Sequence, residues 1–508
     1  MTFTLIFPVH QLVKNTLCLL AGIALTLAFA PFSIFPLAVL SPALLLFLIL
    51  KASPGTAFVR GWLYGMGWFG TGVYWIFISI HTFGNVSMWL AGLITASFIA
   101  ILALFPAGTS YFLRRFFPAN NSTQLLCAFP ALWVLSEWLR SWVLTGFPWL
   151  LIGESQVNSP LQGFAPILSV LGVSFLVILS SGLLLNALIQ MKRTAYQPMY
   201  VNFLILVFIW MTGSVLSFVS WTKPYGPPIQ VSLVQGNIPQ ALKWSPESLQ
   251  FTLDRYVDLT KTHWDSAMIV WPESALPIPM QHIEPLIHSL EDKAKETHTS
   301  FITGIPIHIE GTDSYYNAVM LLGEKKDFYL KKRLVPFGEY VPFQSLLNRM
   351  LDFLHVPMST FVPGTAPSHP LKAGNINLST FICYEIVFPE QVRLADGNAN
   401  VLLTVSNDAW FGHSTAEPQH LEAARMRAIE MRKPVLFVSN DGITAIIEAN
   451  GSVKSAAPIH QAYVLTDQVQ PMQGKTPWQK MGLFPLFAIL MLCLYLAKMR
   501  QKRQHQLF

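Results

Sequence analysis

Apolar positions along this chain follow two rhythms. Up to about Ser220 they run almost unbroken, in stretches near 13–31, 35–50, 58–80, 88–112, 124–142, 164–190 and 199–219, and one more lies near 479–497. A hydrocarbon core of about 30 Å needs about 20 such residues per helix, so these stretches predict a polytopic α-helical membrane domain with eight transmembrane helices. The fifth stretch carries Glu137 and Arg140. Charges at such depth face protein or water, not lipid. From Trp221 to Thr476 the rhythm shortens. Strand-like runs occur at Ile229–Val234, Ala267–Trp271, Ser300–Pro306, Tyr316–Leu322, Leu378–Cys383, Val401–Val405 and Val435–Val438. Helical patterns lie between them at Ile283–Glu296 and Glu417–Met431, the second with Leu421, Ala424, Arg425 and Ala428 at helical spacing. Strands interleaved with helices predict an α/β layered domain. The expected division is a membrane domain of seven helices over 1–220, a soluble domain over 221–476, and an eighth helix with a basic tail over 477–508.

Charge sharpens this picture. The chain holds 33 Lys+Arg and 27 Asp+Glu, and only ten of these precede Ser220. An even spread would put about 26 there. With 52% hydrophobic residues, this excludes an ordinary cytosolic enzyme, a disordered chain and a disulfide scaffold. A net charge of +6 raises nucleic acid as a partner, but many basic residues sit at the ends of apolar spans, where topology explains them. No nucleic-acid partner is expected. With the N-terminus and Lys14 in the cytoplasm, alternate spans bring Lys51 and Arg60, Arg114 and Arg115, Lys192 and Arg193, and the tail with Lys498, Arg500, Lys502 and Arg503 to the same side. The opposite loops 31–34 and 81–87 have no Lys or Arg. Both termini are therefore expected in the cytoplasm of a bacterium, and the soluble domain in the periplasm, tethered at both ends to the inner membrane. Ala28-Phe29-Ala30 mimics a signal-peptide cleavage site, but Pro31 directly after it and the spans that follow weigh against cleavage.

Residues 340–363 form an apolar arm with little strand character, including Phe343, Leu347, Met350, Phe353 and Phe361. It reads either as a helix on the domain's own core or as a lid dipping into the bilayer surface. Of four cysteines, Cys18, Cys127 and Cys493 fall in apolar spans. Only Cys383 lies in the soluble domain, so no internal disulfide forms there. Alone, it reads as a small buried hydrophobe. Its position at the end of an apolar strand, before Tyr384-Glu385, equally suits a nucleophile whose following backbone N–H faces an oxyanion. Upstream, Trp271-Pro272-Glu273-Ser274 puts a carboxylate just past a strand, and Lys331 precedes a Gly turn and a second carboxylate, Glu339. Each is weak by itself: a surface cap, a solvated lysine, a turn residue.

Together these motifs resemble those of the nitrilase, or carbon–nitrogen hydrolase, superfamily: Pro-Glu-Ser-Ala at Glu273, Lys-x-x-Leu-x-Pro-Phe-Gly-Glu from Lys331 to Glu339, and Cys-Tyr-Glu-x-x-Phe-Pro-Glu from Cys383. Further segments resemble its membrane-bound branch, the apolipoprotein N-acyltransferase family. They are Val234–Gln240 with Lys243-Trp244, Ser406–Gly412, Arg425–Pro434, Phe69–Trp75, Glu137–Arg140 and Gly146–Trp149. Lys332-Arg333 departs from the family, where a histidine often follows the lysine.

The resemblance implies an α-β-β-α sandwich and a Glu-Lys-Cys triad. Glu273 would be general base, Cys383 nucleophile, Lys331 the stabiliser of thiolate and oxyanion, and Glu339 the residue orienting Lys331. Trp244, Tyr384 and Glu385 would line the substrate pocket, Trp244 having core packing as its alternative. A phospholipid, with phosphatidylethanolamine the expected donor, would acylate Cys383. The thioester would then pass its chain to the N-terminal amine of a diacylglyceryl apolipoprotein, the last step of lipoprotein maturation. With no His/Cys ligand cluster, P-loop or GxGxxG in the sequence, no metal or cofactor is expected. Two rivals stay open: a membrane-tethered amidase hydrolysing a small amide, and a transporter or receptor carrying a non-catalytic nitrilase-like domain.

Overall fold

The computed structural model describes residues 6–118, 121–336, 338–340, 361–365, 369–395 and 397–506. It divides into two compact units, one of Met1–Tyr74, Trp89–Val219 and Lys480–Phe508, the other of Trp75–Met88 and Ser220–Gln479. Most of the expected arm, 341–360, lies outside the described residues.

The first unit is helical. Helices cover Ile6–Thr26, Leu37–Ile49, Pro54–Gly72, Leu104–Phe116, Phe129–Arg140, Ala165–Lys192, Tyr196–Ser217 and Phe484–Gln506, and Met88–Leu102 leads into it. Among the described residues, Met88–Phe116, Pro160–Lys192, Tyr196–Ser217 and Phe484–Lys502 are long and apolar enough to cross a membrane, and Leu37–Ile49 is a shorter apolar helix. The charges of the fifth stretch are buried against protein. Arg140 donates to the carbonyls of Phe147 at 2.8 Å, Trp149 at 2.6 Å and Leu150 at 3.3 Å. Glu137 Oε1 accepts from Trp133 Nε1 at 3.2 Å and from the Ile152 backbone N–H at 2.9 Å. These two side chains thus satisfy backbone groups of the irregular segment 147–152, which hydrocarbon could not.

The third apolar stretch departs from expectation. Its helix stops at Gly72, and Trp75–Ile78 and the π-turn Ser79–Phe83 belong to the second unit. Trp75 Nε1 donates to Gln419 Oε1 at 3.3 Å, its ring packs 4.8 Å from that of Phe411, and Ser79 Oγ donates to the Trp410 carbonyl at 2.8 Å. Polar partners in the α/β unit, more than hydropathy, decide where this segment goes.

The second unit contains strands β1 (Lys223–Pro224), β2 (Ile229–Gln235), β3 (Met268–Val270), β4 (Ser300–His308), β5 (Tyr315–Leu322), β6 (Asp327–Leu330), β7 (Leu371–Ala373), β8 (Ile376–Ile382), β9 (Val401–Ser406), β10 (Val435–Ser439), β11 (Ala445–Ile447), β12 (Val453–Ala456), β13 (Tyr463–Val469) and β14 (Met472–Gln473). They build one sheet ordered β13-β2-β3-β4-β5-β6, another ordered β12-β11-β10-β9-β8-β7, and a ribbon of β1 with β14. In each large sheet the middle pairs, β2/β3 and β3/β4 or β8/β9 and β9/β10, are parallel, and the outer pairs are antiparallel.

Alternation along the strands fixes the layers. Val231, Leu233, Met268, Val270, Val319 and Leu321 share one buried cluster with Leu378, Ile382, Leu403, Val405, Leu436 and Val438, so the two sheets pack face to face. The intervening residues Val234, Ile269, Phe301, Met320 and Leu322 turn the other way, onto Tyr256, Ile287, Leu290 and Ala294 of helices Leu249–Thr260 and Glu284–Glu296. Helix Ala416–Met431 covers the second sheet, with the His420 ring 5.0 Å from that of Phe437 on β10. This is an α-β-β-α sandwich. Each fully buried Val, Leu or Ile stabilises it by about 1.5–3 kcal/mol.

Parallel strands that share a direction end at the same edge. Lys243 follows β2, Glu273 follows β3, Cys383 follows β8, Asn407 follows β9 and Asn440 follows β10, so the layered topology gathers residues far apart in sequence.

Candidate active site

Glu273 leaves β3 on a tight turn whose next residue, Ser274, has φ +48°. The turn presses on Gly304 of β4: a Cβ there would lie 2.5 Å from Ser274 N and 2.7 Å from Glu273 Cα, so only glycine permits the approach. Glu273 is 8% exposed. Its Oε1 accepts from Lys331 Nζ at 3.2 Å and from Asn317 Nδ2 at 2.8 Å, and its Oε2 from the Asn407 backbone N–H at 3.1 Å.

Lys331 follows β6 and is 1% exposed. Its Nζ also donates to Glu339 Oε1 at 2.9 Å, and Asn317 Nδ2 reaches that same oxygen at 2.9 Å. Glu339 Oε2 accepts from the Val335 backbone N–H at 2.8 Å, which closes the turn between lysine and carboxylate. One ammonium therefore lies between two carboxylates, with the Asn317 amide bridging both. Burial disfavours the charge on Lys331, but Glu273 and Glu339 outweigh it and hold the ammonium well above the usual lysine range.

Cys383 is 9% exposed and has φ +53°, the left-handed region that a side chain with Cβ adopts at a cost. His420 Nε2 donates to its carbonyl oxygen at 3.1 Å, and His420 Nδ1 sits 3.1 Å from Asp408 Oδ1, which also accepts from Ser406 Oγ at 2.6 Å. Burial and then the Glu273 carboxylate push the thiol above its ordinary range. The Lys331 ammonium and a hydrogen bond with Ser406 pull the other way and do not prevail. The resting sulfur is thus a thiol, and the expected stabilisation of a thiolate by Lys331 is outweighed until a base removes the proton.

The other expected site residues sit differently. Trp244 ends the short helix Gln240–Lys243 with 47% of its surface exposed, which is no core position. Tyr384 is half-buried, with its ring edge-on to Phe388 at 4.9 Å. Glu385, expected in the substrate pocket, is fully buried. Its Oε1 accepts from the backbone N–H groups of Lys332 at 2.7 Å and Arg333 at 3.0 Å and from Gln391 Nε2 at 2.8 Å. Its Oε2 accepts from the Ile382 backbone N–H at 2.8 Å and Tyr329 Oη at 2.9 Å. With its acceptor sites filled this way, Glu385 ties the segment after Lys331 to the strand end before Cys383. These bonds join it to the segments that carry both Lys331 and Cys383.

Sequence reading did not single out Asn317 or His420, and saw Lys243 and Asp408 only as parts of motifs. Lys243 is 2% exposed and its Nζ donates to the Glu273 carbonyl at 3.0 Å. Burial pulls its ammonium down to about 7, although Glu273 and Cys383 favour the charged form. No periodicity marks these four; only their convergence does. The assembled groups comprise a protonated thiol, a carboxylate beside it, a fixed cation and a buried second lysine, a set suited to acyl transfer through sulfur.

Comparison with known families agrees with this chemistry. Residues 21–183 match the family described as apolipoprotein N-acyltransferase N-terminal domain, and residues 230–475 match carbon-nitrogen hydrolase. A protein of Coxiella burnetii named apolipoprotein N-acyltransferase is 42% identical, over 95% of this chain and 99% of its own. One of the same name from Azotobacter vinelandii is 40% identical over 96% of each chain. Another from Vibrio cholerae is 37% identical over 97% of this chain and 98% of its own.

Proposed function

The chain belongs to the apolipoprotein N-acyltransferase family, and from that premise we propose that it moves an acyl chain from a phospholipid to the N-terminal amine of a diacylglyceryl lipoprotein through a thioester on Cys383. The observation carrying this reading is the Lys331 ammonium between Glu273 and Glu339, acting on a buried Cys383 thiol. In the first half-reaction Glu273 takes the thiol proton as sulfur attacks the ester carbonyl. Two N–H groups of Lys331 point to the carboxylates, and its third stabilises the developing oxyanion together with the backbone N–H of Tyr384, at ~3–4 kcal/mol per donor. As the tetrahedral adduct collapses, Glu273 returns its proton to the departing lysophospholipid oxygen. In the second half-reaction Glu273 takes a proton from the attacking amine and gives it to the leaving sulfur. Two half-reactions sharing one covalent intermediate imply ping-pong kinetics.

Eight transmembrane helices, with both termini cytoplasmic and the α/β domain periplasmic, suit substrates held in the bilayer by their own chains. Extracting a lipid costs about 0.8 kcal/mol per CH₂, and a site beside the membrane avoids that step. The donor of this reading is phosphatidylethanolamine. Intact mass of the detergent-purified protein after incubation with that lipid tests it. The expected result is a gain of one acyl chain, labile to hydroxylamine, absent in Cys383→Ser, and passed on to a diacylated lipopeptide. An unacylated thiol that instead reacts with small amides would replace this reading with that of a tethered amidase.

A further inference from the structure

Aminolysis of a thioester leaves a proton over. An α-amine has a pKa of about 8, so near pH 7 the acceptor is mostly an ammonium. Converting that ammonium and a thioester into an amide and a thiol releases one proton in total. Glu273 handles the other, taking it from the attacking nitrogen and delivering it to sulfur, and so ends as it began. Lys331 cannot take the extra one, because Glu273 and Glu339 keep it charged. The Glu-Lys-Cys set has no place for it.

Lys243, outside that set, is a buried amine at the same edge. It sits on a segment with little freedom. Asn237 N–H donates to the Asn440 carbonyl at 2.7 Å, Ile238 N–H to Asn440 Oδ1 at 3.1 Å, and Gln240 Oε1 accepts from Asn407 Nδ2 at 2.6 Å. Asn407 in turn holds Glu273 Oε2, so lysine and general base are fixed by one network. Among the described residues, Lys243 Nζ has one acceptor, the Glu273 carbonyl at 3.0 Å. One acceptor suits a neutral amine, which retains a lone pair, far better than a buried ammonium with three N–H groups to satisfy. The charged and titratable groups acting on it are Glu273 after β3 and Cys383 after β8.

We propose that Lys243 is a catalytic residue of the second half-reaction, taking from the acceptor ammonium the proton it must shed before its nitrogen attacks the thioester. The proposal rests on the acyl-transfer reading. The step balances: the acceptor ammonium becomes an amine, neutral Lys243 becomes an ammonium, and that proton passes to water before the next cycle. With burial holding Lys243 at about 7, the cycle resets at neutral pH.

The test separates the half-reactions in the full-length protein, comparing it with Lys243→Met and with Lys243→Gln, which keeps a donor for the Glu273 carbonyl. Formation of the acyl-enzyme from phosphatidylethanolamine is followed by mass. Its discharge is followed with a diacylated lipopeptide, and with hydroxylamine, an amine already unprotonated at pH 7. Both variants are expected to form the acyl-enzyme within a few-fold of the normal rate and to discharge normally to hydroxylamine. Transfer to the lipopeptide at pH 7 is expected to fall ~10–100-fold, recovering as pH rises towards 9. Equal slowing of both half-reactions, or lipopeptide transfer at the normal rate, would overturn the assignment. No acyl-enzyme in the unaltered protein would overturn the acyl-transfer reading itself, a result distinguishable from the other two.

Discussion

His420 Nε2 donates to the carbonyl oxygen of Cys383 at 3.1 Å, from a helix 37 residues further along the chain. Cys383 needs this help, since a left-handed backbone at a residue with Cβ costs about 1–3 kcal/mol and persists only where surroundings enforce it. Asp408, 3.1 Å from the other ring nitrogen, orients the imidazole. The pair resembles part of a Ser-His-Asp relay, but it aims at backbone and not at sulfur, so it positions and does not act as base.

Replacing His420 by Ala is therefore expected to slow acyl-enzyme formation ~10–100-fold, the worth of one hydrogen bond to a buried carbonyl. His420→Gln, whose amide N–H can approach the same oxygen, should restore part of the rate. Mass-resolved acylation kinetics decide it, and equal loss in both variants would count against a positioning role.

Asn317 donates to Glu273 Oε1 at 2.8 Å and Glu339 Oε1 at 2.9 Å. Asn317→Asp places a third carboxylate against these two. Its repulsion should lower initial transfer rates at least ~100-fold, more than the ~10-fold expected of Asn317→Ala, which removes donors without adding charge. The reverse order would mean that the bridge, not the charge balance, matters at this position.

The raised range of the Cys383 thiol makes a pH prediction. Alkylation by iodoacetamide should climb about tenfold per pH unit through pH 9 with no plateau, because thiolate stays the minor form. Glu273→Gln removes a carboxylate that raises the range, so at pH 8 its alkylation should be faster while acylation by phospholipid falls ~10²–10⁴-fold. Lys331→Met removes a cation that lowers the range, and alkylation should slow. Mass spectrometry of the alkylated protein at successive pH values reads both directions.

Lys243 links the site to stability. Folding moves its ammonium from the usual 10.5 to about 7, so the folded chain disfavours a proton that the unfolded chain holds. That penalty is complete below pH 7, declines as pH rises from there, and vanishes above about 10.5. Lys243→Met should accordingly raise the Tm more at pH 6 than at pH 9, measured by thermal unfolding in detergent. An equal gain at both values would show that the penalty is not one of protonation.

Glu385→Ala leaves backbone donors at Ile382, Lys332 and Arg333 without their carboxylate. A loss of at least about 3 kcal/mol in stability is expected, since each buried donor left unmet costs about 1–3 kcal/mol. The same variant should lose activity through displacement of both Lys331 and Cys383, readable as reduced alkylation and reduced acylation together.

What the amino-acid order determined by itself was local. Short strand-like apolar runs marked Ile229–Val234, Tyr316–Leu322 and Val401–Val405, and strands cover all three. Continuous apolar runs located helices such as Ala165–Lys192, because burial on all sides leaves no polar face to interrupt them. Glu273, Lys331 and Cys383 could be picked out because each follows an apolar run and stands in a recognisable motif. Tertiary structure decided the rest. Asn317 and His420 carry no local signal, and Lys243 and Asp408 stand in motifs that do not say what they touch; what defines all four is distance to groups elsewhere in the chain. The donors that Glu385 collects from three separate segments could not be read from its own motif. Trp75–Phe83 looked like the end of a span, yet it joins the α/β unit through Gln419, Phe411 and Trp410. Sequence periodicity registers which face of an element avoids water; which distant residues meet at one sheet edge depends on parallel strands ending together, and that is a property of the assembled sandwich.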